Sequence, residues 1–247
     1  MDVDVAAAAR LFADPTRADV LAALLDGRAL TAGELARATG VSAQTVSAHL
    51  RRLLDARLVA VQAQGRHRYY HLADDRAGRA FEALAALAPV RPARSLRQSR
   101  IAADLRMART CYDHLAGAVA VHLADSLTRH GVLAVDQGRY RLGPAGTAVL
   151  TSFGLDMSSI ALARRSFAHP CLDWSERRHH VAGALGAALL TRMTDRGWIS
   201  PHPASRAVRL HETGRQGLSE IFGCELPSES QAAAANHAAS RPPLSVT

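Results

Sequence analysis

Between residues 40 and 59, "GVSAQTVSAHLRRLLDARLV" sets Val46, Leu50, Leu53 and Leu54 at i, i+4, i+7 and i+8, one apolar stripe of a helix. The opposite side carries Gln44, Thr45, Ala48, Arg51 and Arg52, with Ser47 on its flank. Those side chains are too short and too selective for an ordinary charged surface. Upstream, "LFADPTRADVLAALLDG" predicts a helix with Asp14 as N-cap, Pro15 in the first turn and Gly27 as the stop. "TAGELARATG" predicts a very short helix, opened by the capping-box pair Thr31 and Glu34 and closed by Gly40. Ser42 then caps the helix of the opening stretch. Two short helices joined by a tight glycine-containing turn make a helix-turn-helix.

After that helix the period shortens. "LVAVQAQGRHRYYHLA" (58–73) alternates around Gln64-Gly65 and predicts a β-hairpin, placed as a wing would be, with Tyr69 and Tyr70 as packing residues. "DRAGRAFEALAALAPV" (75–90) predicts an Ala/Leu helix too apolar on one face to stand alone, and Pro89 and Pro92 mark a boundary. In the second half, "LAGAVAVHLADSLTRHGVL" (115–133) matches "VAGALGAALLTRMTDRGWI" (181–199) at a constant offset. Each copy leads into a strand-like piece, "RYRLGPAG" and "AVRLHETG". The expected fold is therefore mainly α with small β-hairpins. An N-terminal winged helix-turn-helix (1–90) precedes a helical C-terminal domain (91–226) of two degenerate winged-helix-like repeats, about 111–148 and 171–217. A disordered tail is expected over 227–247.

Composition narrows the function classes. A 48% hydrophobic content over 247 residues allows a real core. The acidic start "MDVDVAAAAR" is unlike a signal peptide. The longest apolar run, "VAGALGAALL", is well short of the ~20 residues of a membrane span. A soluble, cytoplasmic protein without membrane contact is expected. Every basic residue is arginine, which reflects the same bias that makes alanine abundant, yet a net charge of +8 favours polyanion partners. Residues 41–71 concentrate Arg51, Arg52, Arg57, Arg66 and Arg68 against Asp55 alone. A second cluster, Arg91, Arg94, Arg97, Arg100, Arg106 and Arg109, reads either as a basic helix near DNA or as a solvated linker.

A helix that reads the major groove brings short polar side chains to base edges and keeps an apolar back for the core. The candidate DNA-binding residues are Ser42, Gln44, Thr45, Ser47, Ala48, Arg51 and Arg52 on the helix, with Arg66 and Arg68 on the wing. Gln44 suits an adenine edge, Arg51 a guanine or a phosphate, and Ala48 with the Thr45 methyl a thymine methyl. Ser47 is a candidate phosphate donor, and Arg66 and Arg68 could follow the backbone, where contacts set salt-dependent affinity. His49 falls at the core boundary, where packing and DNA contact are equally compatible with its angle.

"LFADPTRADVLAALL", "LTAGELARATGVSAQTVSAHLRRLLDARLV" and "QGRHRYYHL" together resemble the ArsR family of bacterial winged-helix transcription regulators, over roughly residues 8–73. The resemblance rests on Asp14-Pro15-Thr16-Arg17, on Ser-x-His-Leu at Ser47 to Leu50, and on the glycine-turned wing. It implies a homodimer on a double-stranded operator, usually a repressor released by a signal, and no enzyme activity. The family's usual metal sites are missing: Thr31 and Gly33 stand where its cysteine pair would fall, and residues 76–90 contain neither His nor Cys.

Another constellation offers itself. Cys111 and His114 in "CYDHLAG" have a C-x2-H spacing that reads as one helical turn, and the repeat aligns His180 with His114. Cys111, His114, Cys171 and His180 would form a tetrahedral Cys2His2 set suited to zinc or another divalent metal. The alternatives are a redox-sensing thiol, or plain packing of buried cysteines with Asp113, Asp173 and Glu176 paired to nearby arginines. Cys224 has no evident partner. A metal- or thiol-dependent enzyme using this cluster is the competing function, although no nucleophile elbow, phosphate loop or H-E-x-x-H motif is present. A partner-binding module using the basic 91–109 segment is a third reading.

Overall fold

A computed structural model describes residues 3–25, 27–89, 96–203 and 205–227. The N-terminal elements are α1 (Val5–Phe12), α2 (Pro15–Leu24), β1 (Leu30–Thr31), α3 (Ala32–Thr39), α4 (Ala43–Asp55), β2 (Val59–Gln64), β3 (His67–Leu72) and α5 (Asp75–Leu87). The anticipated caps are in place. Asp14 accepts from the Arg17 amide, Thr31 and Glu34 form a complete capping box, and Ser42 accepts from the Thr45 amide. Gly40 ends α3 in the left-handed conformation. Val46, Leu50 and Leu53 of α4 join Val20, Leu21, Leu24, Leu25 and Leu35 in one buried cluster. Burying each such side chain contributes roughly 1.5–3 kcal/mol, so this stripe holds α4 in place.

The wing is an antiparallel hairpin that pairs Gln64 with His67 around Gly65 and Arg66. Two elements go beyond the sequence expectation. Asp4 caps α1, and β1 adds to β3 through Leu30–Tyr70 and Thr31–Tyr69, giving a three-stranded sheet ordered β1-β3-β2. Tyr70 packs against the core, as expected of a hairpin residue.

The C-terminal part contains α6 (Leu96–Met107), β4 (Arg109–Cys111), β5 (His114–Ala116), α7 (Ala118–Arg129), β6 (Leu133–Asp136), β7 (Arg139–Leu142), α8 (Gly146–Ser152) and α9 (Met157–Ala161). It continues with β8 (His169–Leu172), β9 (His179–Ala182), α10 (Gly183–Asp195), β10 (Ile199–Pro201), β11 (Val208–Leu210) and α11 (Glu212–Phe222). The order hairpin, helix, hairpin, helix thus runs twice, as β4–β5, α7, β6–β7, α8 and as β8–β9, α10, β10–β11, α11. Both long helices begin at a glycine with φ near +90°, Gly117 and Gly183. A Cβ at Gly117 would lie 2.7 Å from the Arg106 carbonyl oxygen, and one at Gly183 2.8 Å from that of Ser166, so neither position accepts a side chain. A second core of Leu123, Leu127, Leu150, Phe153, Leu185, Trp198 and Phe222, among others, fills this part.

Two sequence expectations need correction. Cys111 and His114 are not a helical turn apart. They face each other across β4 and β5, because the tight turn at Tyr112 and Asp113 reverses the chain between them. Arg109 is neither near DNA nor solvated: it is fully buried and paired with Asp173. Arg91 and Arg94 of the same cluster lie outside the described residues, as do the side chain of Arg97 and nearly all of the expected tail, 228–247.

Candidate nucleic-acid interface and metal centre

Every residue assigned to the DNA-reading face is exposed: Ser42, Gln44, Thr45, Ser47, Ala48, Arg51 and Arg52 on α4, and Arg66 and Arg68 at the wing. Three of the hydroxyls already have local partners. The Ser42 Oγ lies 2.9 Å from the Thr45 Oγ1, and the Ser47 hydroxyl donates to the Ala43 carbonyl at 2.8 Å. Ser47 therefore meets a phosphate as a donor only if its hydroxyl first rotates away from its own helix. Gln44, Arg51 and Arg52 carry the polar reach of the face, extending from α4 into solvent. His49 is half-buried, its Nδ1 3.6 Å from a carboxylate oxygen of Asp14, the cap of α2. Asp14 is held below the usual carboxylate range, chiefly by the Arg17 amide, so His49 faces an anion inside the domain.

In the C-terminal part, the sulfur and nitrogen atoms of Cys111, His114, Cys171 and His180 lie within 4.8 Å of one another. The two hairpins supply them in the same way: Cys111 pairs with His114 across β4–β5, and Cys171 pairs with His180 across β8–β9. His114 and His180 stand 66 positions apart and meet through their Nε2 atoms at 3.2 Å. The Cys111 and Cys171 sulfurs are 3.9 Å apart, and both thiols are free. A tetrahedral zinc with its usual bond lengths needs about 3.3 Å between two nitrogens and about 3.8 Å between two sulfurs. The four groups already approach that arrangement.

Carboxylates stand behind both imidazoles. Asp113 lies 3.2 Å from the His114 Nδ1, and Asp173 lies 3.7 Å from the His180 Nδ1. The His180 Nδ1 is buried without a hydrogen-bond partner. His114, with its Nδ1 hydrogen-bonded to a carboxylate and its Nε2 turned to the cluster, has the geometry of a metal-binding histidine, while the His180 Nδ1 faces Asp173 without a hydrogen bond. Burial disfavours the charged His114 ring, but Asp113 and Cys111 lift its pKa to about 9. The Cys111 thiol is pushed up to about 12 by its neighbour Cys171 and by burial. Without a cation, then, the centre holds a thiol that resists ionisation. Burial also opposes the charge of Asp173, yet Arg109, Ser175 and the amides of Gly117 and Glu176 bring its carboxyl to about 2.

Arginine pairing of the acidic residues and convergence of the Cys/His set occur side by side. Asp173 pairs with Arg109 and Asp113 with Arg165, while the Cys/His set still comes together. Sequence reasoning missed the surrounding frame: Arg109, Glu82 and Arg206. Glu82 left one signal, as the lone carboxylate within "RAGRAFEALAALA", and it is buried.

A helix-turn-helix domain model matches residues 12–62, which span the caps, α3, α4 and the start of the wing. The uncharacterized HTH-type transcriptional regulator YdfF of Bacillus subtilis is 44% identical over 215 residues, 87% of this chain and 95% of that protein. The chain belongs to the helix-turn-helix transcriptional regulators. Because the alignment runs through both halves, the regulator shares its C-terminal part with that relative as well as its reader. The HTH-type transcriptional regulator CmtR of Mycobacterium tuberculosis is 43% identical over 75 residues, 30% of this chain and 63% of that protein. The solution structure of CmtR, described as a cadmium metal-sensor, covers 38% of the regulator at 35% identity and a TM-score of 0.28. The regulator binds DNA through its helix-turn-helix domain, and the alternative of a metal- or thiol-dependent enzyme finds no support among these relatives. No helix among the described residues is long and apolar enough to cross a membrane.

Proposed function

We propose that the regulator is a homodimeric repressor that reads its operator with α4 and the wing and receives its signal in the C-terminal part. Residues 1–90 act as reader and dimerisation domain and 91–226 as effector domain, built of two degenerate winged-helix-like units. The repeated element order and the paired glycines at Gly117 and Gly183 support that division. The observation that carries the reading role is the exposed short-chained face of α4 over a fully buried Val46-Leu50-Leu53 stripe. Gln44 and Arg51 contact base edges, while Arg52, Arg66 and Arg68 contact phosphates. Fluorescence anisotropy with the DNA upstream of its own gene tests this. Gln44→Ala and Arg51→Ala are each expected to weaken specific binding by about 1–3 kcal/mol, the usual value of one good base-edge interaction. Equal affinity for that fragment and random DNA at physiological salt would overturn the reading.

Cys111, His114, Cys171 and His180 hold a divalent metal of the zinc class in the effector domain. Two soft thiolates and two imidazoles suit that ion, and four protein ligands leave no open position, which fits a structural or sensory centre and not a hydrolytic one. Competition with a chromophoric chelator is expected to show tight binding at about one zinc per chain. Cys111→Ser and His180→Gln should each abolish it. Retention of tight zinc by both variants would refute the assignment.

A further inference from the structure

We propose that occupancy of the Cys/His centre controls the order of the DNA-reading domain through Tyr112 and Glu82, which join the centre to α5 and its core. This inference rests on the metal assignment above and adds its route of action.

Tyr112 sits between Cys111 and His114, at the first position of the two-residue turn, with φ +61°. Glycine, asparagine or aspartate usually fills such a position, because a β-carbon there is strained. Tyrosine at this point has another use. It packs on the buried cluster of the N-terminal domain that contains Leu25, Leu72 and Ala77. A Cβ added to Gly78 of α5 would stand only 3.5 Å from the Cβ of Tyr112, so the turn and the helix are in close contact. The residue between two ligands of the centre is thus part of the core of the reading domain. A strained, non-glycine turn that persists because its surroundings hold it is a feature of sites where strain is used.

A second, buried path runs beside it. The Asp173 Oδ2, 3.7 Å from the His180 Nδ1, accepts from the Gly117 amide at 2.7 Å and from the Arg109 Nη2 at 2.9 Å. That same Arg109 nitrogen is 3.9 Å from the Glu82 Oε2 on α5, and the Glu82 Oε1 pairs with Arg206. Arg206 in turn donates to the Thr110 carbonyl at 3.3 Å, next to Cys111. Arg109 and Asp173 are fully enclosed, with Trp174 stacked over the guanidinium at 4.5 Å. Two atoms of this network, the Arg109 Nε and the Glu82 Oε2, have no hydrogen-bond partner. A fully satisfied buried network is rigid, and an unpaired buried polar atom in one is costly.

The two arrangements follow from the ion. With a metal, Cys111 and His114 are tied to a common centre with Cys171 and His180, so the Tyr112 turn has one geometry and both hairpins one spacing. Without it, the two thiols and the two imidazole Nε2 atoms have only each other as partners, and no common ion ties the β4–β5 turn to the β8–β9 hairpin. The loosening propagates to α5 through the tyrosine contact and to Glu82 through Asp173 and Arg109. Coupling of this kind typically changes a distant equilibrium by about 5- to 150-fold.

Amide hydrogen exchange of the full chain, read by mass spectrometry with zinc or with a strong chelator, tests the route; zinc content is measured on the same samples. Zinc is expected to slow exchange at 109–116 and 169–182 and, by about fivefold or more, across α5. In Tyr112→Ala combined with Glu82→Gln, the slowing at 109–116 and 169–182 should remain while the zinc-dependent change in α5 disappears. Tyr112→Phe should behave as the wild type. A zinc-loaded wild type with unchanged α5 exchange overturns the coupling alone, without recourse to any variant. Persistence of the α5 effect in a zinc-binding double variant overturns the assigned route. A chain that takes up no zinc overturns the metal assignment and this inference together.

Discussion

Asp173 shows how much one side chain organises here. Its Oδ1 accepts from the Ser175 hydroxyl and the amides of Ser175 and Glu176, and its Oδ2 from the Gly117 amide and Arg109. The carboxylate therefore fixes the β8–β9 loop, the start of α7 and the strand that bears Cys111. Asp173→Ala is expected to destabilise the fold by roughly 3–5 kcal/mol, since it strands the buried Arg109 charge; chemical denaturation measures this. Asp113 is half-buried and stands behind His114 alone among the four Cys and His residues, so Asp113→Ala should leave folding largely intact. It should still lower zinc affinity about 10- to 100-fold, measured by chelator competition, because the imidazole is then without its orienting partner. Neither role is legible in the sequence. "CLDWSERR" gives an acid followed by Ser and Glu, but nothing in the spacing of Arg109 and Asp173 announces that they meet.

Among the elements, α4 and the wing are the most readable, because local chemistry specifies them. Ser42, Thr31 and Asp14 cap their helices where short-range patterns place them, and the wing turns at Gly65. Ser42→Ala is expected to cost about 1 kcal/mol in thermal stability, as cap removal usually does. Replacing Arg66 and Arg68 with Ala should weaken binding to all DNA sequences alike and reduce the salt slope by about 1 for each phosphate left without its arginine; binding isotherms at several salt concentrations provide the check. The C-x2-H pair departs from its expected helix for an equally physical reason. Two residues separate Cys111 and His114 both in a helical turn and in a tight hairpin, and sequence spacing cannot distinguish the two. The hairpin is chosen by Tyr112, whose ring is drawn into a core formed by residues far upstream.

Among the described residues two apolar clusters form, one in the N-terminal and one in the C-terminal part, and Tyr112, Glu82, Arg109 and Arg206 lie where they adjoin. Local residue order specified the caps, the helical stripe of α4, the glycine-turned wing and the four residue types of the Cys/His set. The structural features among them are written in short-range order: a cap acts over three residues, a helical stripe over four. Long-range packing is what places Cys111 and Cys171 on strands, buries Arg109 and sets Glu82 against Arg206 across 124 positions. Such contacts depend on how two separately formed cores meet, and charge pairs between them leave no periodic trace in either segment.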